Sequence, residues 1–542
     1  MSIEEKSVDV SDATLALIDG APANQSQWGE VVQNAIKAER FEKSMSLWDG
    51  LRLYPKAVFW SMAVSMTLVM EGFDTNTEIS VMGNMLALPS FRQRYGRVSA
   101  SGGYQLDPAW QSAVGYAPAI GNIIGIFVFS WMQQHYGYRH TMQLNLILIT
   151  GFIFIVFFAN SIQVLFVGEL LCGLPWGAFS SSAVSYASEV TPVPLRGYLT
   201  IFVSLCWIMG QFISSGTIYA THNWTSDLSY KLPFALQWIW PLPLFILVTL
   251  APESPWFLIR QKRYDEAEKS IRQLSVQDET LDVKQTVAMM IRTNQQEEKI
   301  NAGTSYWDCF KGAELRRTEI ACVAWASTVL VGSSFANHPA YFLEQAGFST
   351  SGALQLDLGL RALAFVGTLV SWVNMTLFGR RKTMLVGELV LATSLLLTGV
   401  LSVPGDHNQN AAWAESAMIF VWVFTWDAAV TTTAYAIVGE VPSTRLRGKT
   451  VGLARNLYNV AGLVGGIINT YSVNPDAWNW KGRAAFFWLG SCLLAMTWAY
   501  FRLPECKGRT FREIDIMFAR RVPARKFERT LVEEEGDEVR EA

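Results

Sequence analysis

The chain has 542 residues, of which 51% are hydrophobic and 16% are charged, and its formal net charge is -3. This balance is typical of an integral membrane protein, excludes a soluble domain and argues against nucleic acid as a partner. Of the six cysteines, four fall in apolar runs and two on the side predicted to be reducing, so no disulfide framework is expected.

Residues 1–50 are polar and acidic. Residues 1–56 are predicted to form a cytosolic tail that is mostly disordered, with a short helix around residues 28–43. No cleavable signal peptide is expected ahead of the first apolar run, which would serve as its own insertion signal.

The first apolar run, residues 57–88, contains three acids and no Lys or Arg. Because Asp74 and Glu78 follow Glu71 at offsets of three and seven, all three acids share one face of a helix. An acid at membrane depth is costly unless it faces a watery cavity, a partner or a proton. The stripe therefore indicates a function. The plainer alternatives are that Glu71 packs against a polar neighbour and that Glu78 lies near the outer end.

Eleven further runs are long enough to span a bilayer, and a charged segment separates them into two groups. The sequence therefore predicts an all-α membrane protein with twelve transmembrane helices in two six-helix halves. The predicted domains are a cytosolic N-terminal tail (1–56), a first bundle (57–252), a cytosolic linker with short helices (253–318), a second bundle (319–502) and a cytosolic C-terminal tail (503–542). The runs lie at about 110–131, 141–161, 163–187, 199–220, 234–252, 319–343, 355–378, 383–403, 414–438, 450–472 and 484–502.

The orientation follows from the distribution of Lys and Arg in the loops. Most basic loops fall on the side of the linker, which predicts that this side and both termini are cytoplasmic. Three arginines at positions 92, 94 and 97 are the exception. Asn223 begins an Asn-Trp-Thr sequon in a loop predicted to lie outside, so it is a candidate for glycosylation.

Three motifs occur in both halves, at separations of about 242 to 252 positions. HYGYRHTM matches LFGRRKTML, EVTPVPLRG matches EVPSTRLRG, and PESPWFLIRQKR matches PECKGRTF. All six copies lie at predicted cytoplasmic ends, and their complementary charges predict a gate that holds these ends together in one state and opens in the other. The alternative is that the basic residues only set the topology. The predicted gate residues are Arg139, Glu189, Arg196, Glu253, Arg381, Glu440, Arg447 and Glu505.

The chain resembles the sugar porter family of the major facilitator superfamily, and within it the fungal maltose and other α-glucoside permeases. The resemblance covers residues 43–517. It implies a proton-coupled carrier that moves a sugar by alternating access, a monomer in the plasma membrane with sugar, protons and the lipid bilayer as its partners. An enzyme or a cofactor is not expected, because no nucleotide loop, metal spacing or nucleophile–base pattern appears. The stretches that carry the resemblance are VMEGFDT, GELLCGLPWG, GEVPSTRLRGKT, LARNLYNV and NPDAWNWKG.

Two acids are predicted to couple transport to protons. In the fourth span, proton-coupled sugar porters often have an Arg that pairs with the first-span acid Asp74, but here the position holds Glu169, as in the α-glucoside branch. The resemblance places the two side by side. Since two carboxylates in a low-dielectric site cannot both ionise cheaply, the pair is expected to keep one proton. Glu71 is the third proton-coupling candidate.

A sugar pocket needs groups that donate and accept hydrogen bonds and flat aromatic faces. Asp427 is assigned three alternatives: a ligand for sugar hydroxyls, a titrating group, or a partner for neighbouring polar groups. Thr328 stands where the family commonly has Gln, and Thr431–Thr433 replace a Gly-Pro pair, which predicts a straighter tenth helix. These departures leave two other functions open: transport of another small polar metabolite, perhaps from a biosynthetic pathway, or a transport-poor sugar sensor. The other predicted sugar-binding residues are Gln211, Asn337, Trp426, Asn456 and Asn459.

Overall fold

The computed structural model describes residues 25–541 apart from several short gaps, and helices dominate the described residues. The gaps are residues 80–84, 86–87, 99–103, 225, 277–280, 302–304, 337–348, 406–408, 444–445, 475–476, 508, 510 and 533–538.

The helices of the N-terminal part follow one another with short connections, and one two-stranded hairpin, Arg97–Val98 with Tyr104–Gln105, interrupts them. A 3-10 turn, Gln237–Ile239, separates the last two. The helices are α1 (Gln25–Ser44), α2 (Leu47–Leu53), α3 (Pro55–Ser65), α4 (Thr67–Ile79), α5 (Pro89–Tyr95), α6 (Pro108–Phe157), α7 (Ile162–Val190), α8 (Val193–Thr221), α9 (Leu228–Leu236) and α10 (Pro241–Leu250).

The linker supplies three helices of 6, 11 and 19 residues, and the first helix of the C-terminal half begins at Gly312. A second hairpin pairs Thr530–Val532 with Val539–Glu541. The helices are α11 (Pro255–Arg260), α12 (Tyr264–Leu274), α13 (Val283–Asn301), α14 (Gly312–Leu330), α15 (Ser333–Ala336), α16 (Thr350–Leu377), α17 (Arg380–Gly405), α18 (Gln409–Thr425), α19 (Thr432–Glu440), α20 (Arg447–Val473), α21 (Ala484–Arg502) and α22 (Phe511–Ala519).

Within the described part of the chain, ten helical segments are long and apolar enough to cross a membrane. The segment α6 counts as two spans, because its backbone turns at Gly137 (φ 88°, ψ 174°). The bent pair that contains α3 and α4 supplies one more. The predicted fold of twelve spans in two halves is therefore confirmed. We call the end of the bundle that carries the linker helices the linker face, and the other end the opposite face.

The N-terminal tail is more ordered than its composition predicts. The helix expected around residues 28–43 is present as α1, but the described part of the tail from residue 25 onward is helical rather than disordered. Helix α1 packs against α13 of the linker, where Ala35 and Ala38 are buried. Burial of this small apolar stripe stabilises the helix, which its mostly polar sequence would leave marginal in isolation.

Glycines allow the helices of the first half to pack backbone to backbone. A Cβ atom at Gly121 of α6 would lie 2.2 Å from the carbonyl oxygen of Leu170, and one at Gly173 of α7 would lie 2.2 Å from that of Pro118. Gly125 and Gly177 continue the contact one turn further. Both helices thus present Gly-x-x-x-Gly at their contact, the pattern that lets membrane helices approach closely.

Two further glycines shape the turns between spans at the linker face. Gly137 has a positive φ of 88°, and a Cβ atom there would lie 2.6 Å from Oε2 of Glu253. In the second half, a Cβ atom at Gly379 would lie 2.1 Å from Oε2 of Glu505. The repeated motifs therefore contain a glycine because an acid from the end of the same half occupies the space where a side chain would be.

We expect Gly137→Ala to destabilise the protein by at least about 1–3 kcal/mol, the cost of holding a non-glycine residue in a disfavoured backbone conformation. The clash with Glu253 adds to this cost. The matched control is Gly151→Ala in the same helix, where an added Cβ atom has no neighbour within 4 Å. The measurement is the melting temperature of each purified variant in detergent. Equal melting temperatures for the two variants would contradict this assignment.

Candidate functional site

An arginine in the eleventh span, Arg455, contacts aromatic residues of its own half and interacts with an acid of the other half. The guanidinium of Arg455 is 5.2 Å from the ring centre of Trp325 and 5.1 Å from that of Tyr458. It also interacts electrostatically with Glu71, which belongs to the other half and is 5% exposed. Aromatic faces attract cations, so the two rings and the acid together stabilise a charge that is otherwise costly in a membrane. This cluster joins the two halves.

Asp74 and Glu169 are both fully buried, on helices α4 and α7, which pack against each other. Glu71 lies on α4 one turn before Asp74. Helix α4 is held close to α8, because Gly72 and Gly210 bring the two backbones into contact. The side chain of Glu78 lies outside the described residues. The acids expected to carry protons thus lie inside the first half, and Glu71 interacts electrostatically with Arg455 of the second half.

Gln211 contacts an arginine of the other half. Nη1 of Arg361 donates a hydrogen bond to Oε1 of Gln211 at 3.1 Å. Nε of Arg361 lies 3.4 Å from Oδ1 of Asp357, one turn earlier on α16. The hydroxyl of Ser215, one turn after Gln211 on α8, donates to Oδ2 of Asp357 at 2.6 Å. The predicted sugar ligand is therefore part of a polar contact between α8 and α16.

Two other predicted sugar ligands contact each other. Nε1 of Trp426 donates to the carbonyl oxygen of Thr328 at 2.9 Å, and the hydroxyl of Thr328 donates to the carbonyl oxygen of Trp325 at 2.7 Å. Trp422 stacks on Trp426 with 5.9 Å between ring centres. The indole N–H of Trp426 and the hydroxyl of Thr328 thus both donate to backbone carbonyl oxygens. A sugar that accepts a hydrogen bond from either group has to displace the bond present in this structure.

The tenth span is unbroken from Gln409 to Glu440 but contains one turn of π-helix, Trp426–Thr431. A regular, straighter helix was expected there. A π turn displaces the backbone ladder locally, and such turns are frequent at functional sites. Asp427, on this turn, packs against Gly367 of α16 and interacts electrostatically with Arg361. These contacts are compatible with its predicted role as a partner for neighbouring polar groups.

The remaining predicted sugar ligands are asparagines. Asn456 and Asn459 lie half-buried on α20, and the amide nitrogen of Asn459 has no hydrogen-bond partner among the described residues. Asn337 lies outside the described residues. Asn223, the predicted glycosylation site, is exposed in the turn that follows α8, and Thr225 of its sequon lies outside the described residues.

Two of the predicted gate acids bind helix N-termini. Glu253 accepts hydrogen bonds from the backbone N–H groups of Tyr138 (3.0 Å) and Arg139 (3.1 Å). Glu505 accepts from those of Arg380 (2.9 Å) and Arg381 (3.1 Å). A carboxylate at this position satisfies free N–H donors and the positive end of the helix. Burial raises the pKa of Glu253, although the N–H donors oppose that shift.

The other two gate acids bind arginines, one in the adjoining linker and one in the same half. Oε1 of Glu189 lies 2.8 Å from Nη2 of Arg260 in the linker, and Glu189 also accepts from Ser254. Oε1 of Glu440 lies 2.7 Å from Nη2 of Arg380. Arg381, the gate base predicted in this motif, instead donates to the carbonyl oxygens of Leu503 and Tyr500.

The other predicted gate bases are Arg139, Arg196 and Arg447. Arg139 contributes its backbone N–H to Glu253, and Arg196 lines a cavity of about 290 Å³ under α1. The side chain of Arg447 lies outside the described residues. Each pair described here lies within one half and its adjoining linker or tail. None of these pairs links the two halves, so the role of the predicted gate residues in opening and closing stays a prediction.

The sequence analysis did not single out Asp357, Arg361, Glu388 or Arg455. All four lie in apolar runs, and the rule that drew attention to Asp74 applies equally to them. The spacing of Asp357 and Arg361, four residues apart on one helix face, was a further signal. Their contacts with Gln211 and Ser215, about 150 positions away, have no signal in a single sequence.

Comparison with known proteins agrees with this architecture. A maltose permease, MAL61 of Saccharomyces cerevisiae, is 38% identical over 511 residues, which cover 93% of this chain and 82% of the permease. The general alpha-glucoside permease of the same organism (strain S288c) is 38% identical over 509 residues, with the same coverage of both chains. These relatives share most of the chain, including both bundles.

Solved structures support the fold. The xylose transporter XylE from E. coli, in a partially occluded inward open conformation, superposes with a TM-score of 0.67 at 17% identity, covering 84% of this chain and 99% of that one. The structure of XylE bound to 6-bromo-6-deoxy-D-glucose gives a TM-score of 0.66. The model of the family described as "Sugar (and other) transporter" matches residues 60–518. The chain therefore belongs to this transporter family.

Proposed function

We propose that the protein is a proton-coupled transporter of α-glucosides such as maltose and works by alternating access. The observation that carries the proposal is the similarity to maltose and α-glucoside permeases across 93% of the chain. The buried acids of the first half, one of which interacts electrostatically with Arg455 of the second, support a coupled carrier. Ionisable side chains inside a membrane are costly, and a carrier that does not move protons has less reason to keep them there.

In the proposed cycle, the acids Asp74, Glu169 and Glu71 hold the transported proton. Two carboxylates on packed helices with no exposure to water cannot both be charged cheaply, so the pair Asp74–Glu169 keeps a proton until its surroundings change. Protonation lets the halves close around the sugar. Opening toward the cytoplasm hydrates the acids, releases the proton and resets the carrier.

The proposed sugar site lies between the halves, near Gln211 and Trp426. Gln211 offers both a donor and an acceptor, and Trp426 offers a flat face for the C–H side of a sugar ring. Thr328, Asn456, Asn459, Asp427 and Asn337 complete the proposed set. Because several of these groups bind protein partners in this state, sugar binding requires an exchange of hydrogen bonds rather than occupation of a ready-made pocket.

We further propose that the protein is a monomer of the plasma membrane with both termini in the cytoplasm. The linker face is then the cytoplasmic face, in accord with the excess of Lys and Arg in its loops.

This orientation predicts which positions a membrane-impermeant thiol reagent reaches in intact cells. A cysteine introduced at Arg263, exposed in the linker, should react only after the cells are permeabilised. A cysteine introduced at Asn223 should react in intact cells. The chain without either substitution controls for the native cysteines. Labelling of the Arg263 position in intact cells would contradict the orientation.

The coupling proposal predicts that Asp74→Asn abolishes uphill accumulation of labelled maltose, while exchange of internal for external sugar stays detectable. The substitution mimics the permanently protonated acid, which can move with sugar but cannot release a proton. Glu169→Gln should weaken the dependence of uptake on external pH without abolishing it. The measurement is uptake in cells that lack their own sugar transporters, against external pH, with and without a protonophore.

The matched control is Glu388→Gln, which removes a different fully buried acid, on α17, outside the proposed coupling set. It should accumulate maltose as the unmodified chain does. Protonophore-insensitive accumulation by the unmodified chain, or accumulation by Asp74→Asn, would contradict proton coupling. Saturable uptake of a different polar metabolite, with none of any sugar in a labelled panel, would contradict the proposed substrate.

A further inference from the structure

Helices α8 and α16 meet along a stripe of polar side chains that runs toward the opposite face. Gln211, Ser215 and Tyr219 follow one another at intervals of four residues, so they share one face of α8. Each contacts a polar residue of α16: Arg361 (3.1 Å), Asp357 (2.6 Å) and Gln355 (2.7 Å) respectively. We call these six residues the polar seam. It joins the first half of the carrier to the second.

The chemistry of the seam is unusual for a permanent contact. Asp357 is fully buried and Arg361 is 9% exposed, and burial of both charges costs more than burial of well-packed apolar side chains of similar size. When the seam opens, water hydrates both charges, and this hydration offsets the free energy lost when they were desolvated. An apolar seam would gain nothing from water. A buried charge pair therefore suits a contact that has to break and re-form in each transport cycle.

Arg361 has acidic neighbours in its own half whether the seam is closed or open. Asp357 lies beside it on α16, and Asp427 on the adjoining π turn interacts with it electrostatically. Its bond to Gln211 crosses to the other half. Loss of the bond to Gln211 thus leaves the guanidinium accompanied by carboxylates, so the bond across the interface is the one that can be exchanged.

We propose that Arg361 is the latch of the polar seam and that it shares Gln211 with the transported sugar. Without sugar, Arg361 donates to Oε1 of Gln211 and holds the opposite face closed. A sugar hydroxyl that replaces Arg361 as the donor to this oxygen breaks the bond across the interface and leaves the guanidinium with Asp357 and Asp427, which unlocks the seam. The role of the sugar rests on the proposed function, whereas the role of Arg361 as a latch does not.

The test measures how fast a thiol in the seam reacts. Gly216→Cys places the reporter beside Leu358 of α16, where an added Cβ atom makes an ordinary contact of 3.8 Å. Purified protein in nanodiscs is treated with a fluorescent maleimide, and labelling of the chain without Gly216→Cys is subtracted. We expect Arg361→Leu to speed labelling of the reporter at least tenfold. Arg361→Lys, which keeps the charge and a donor, should restore part of the protection.

Two further variants separate the latch from simpler explanations. Asp357→Leu combined with Arg361→Leu removes both charges, and we expect it to label as fast as Arg361→Leu, because the bond to Gln211 is missing in both. Glu388→Gln, a neutralised acid away from the seam, should label at the rate of the unmodified protein. If the double variant is as slow as the unmodified protein, the stranded Asp357 charge explains the single variant and the latch is refuted. Equal rates for Arg361→Leu and the unmodified protein would refute it as well.

Addition of maltose tests the sharing of Gln211. We expect maltose to speed labelling when Arg361 is present and to have no further effect on Arg361→Leu. Fast labelling of Arg361→Leu with no response to maltose in either protein would support the latch but count against maltose as the substrate. A full maltose response that persists in Arg361→Leu would overturn the sharing of Gln211.

Discussion

The structure depends on how charged side chains are held at the interface between two halves that have to move. Arg455 lies against two aromatic rings and interacts electrostatically with Glu71 of the other half, and Arg361 bonds to Gln211 of the other half. A charge inside a membrane is tolerated where a partner or water is near. Both arginines interact with a residue across the interface, so any separation of the halves must either hydrate these charges or supply new partners. Binding of a sugar or a proton at the interface is thereby linked to movement.

The halves themselves are built to move as units. The carboxylates of Glu253 and Glu505 each bind a helix N-terminus within their own half, and a glycine at the turn leaves room for each acid. The close helix contacts at Gly121 and Gly173 remove the space in which the first bundle could deform. Movement is then concentrated at the interface, where the contacts are polar and exchangeable rather than tightly packed backbone.

The sequence predicted the architecture because its signals are local. Apolar runs, the charged linker and the repeated motifs are visible without any tertiary contact, and Glu253 was predicted as a gate residue within those motifs. The contacts at the interface were not predictable in the same way. Gln211 was identified as a polar residue in the fifth span, but its bond to Arg361 joins helices in different halves. Trp426 and Thr328 lie in the same half, but they are 98 positions apart and were predicted as separate sugar ligands, so their bond was not predictable from one sequence either.

The central claim is that sugar and proton cross the membrane together through this interface. The most direct test uses purified protein in proteoliposomes that contain a pH-sensitive dye and have no imposed gradient. Addition of maltose outside should acidify the lumen in liposomes with the unmodified protein, and should leave the luminal pH unchanged with Asp74→Asn. Entry of labelled maltose without acidification in the unmodified protein would contradict the account.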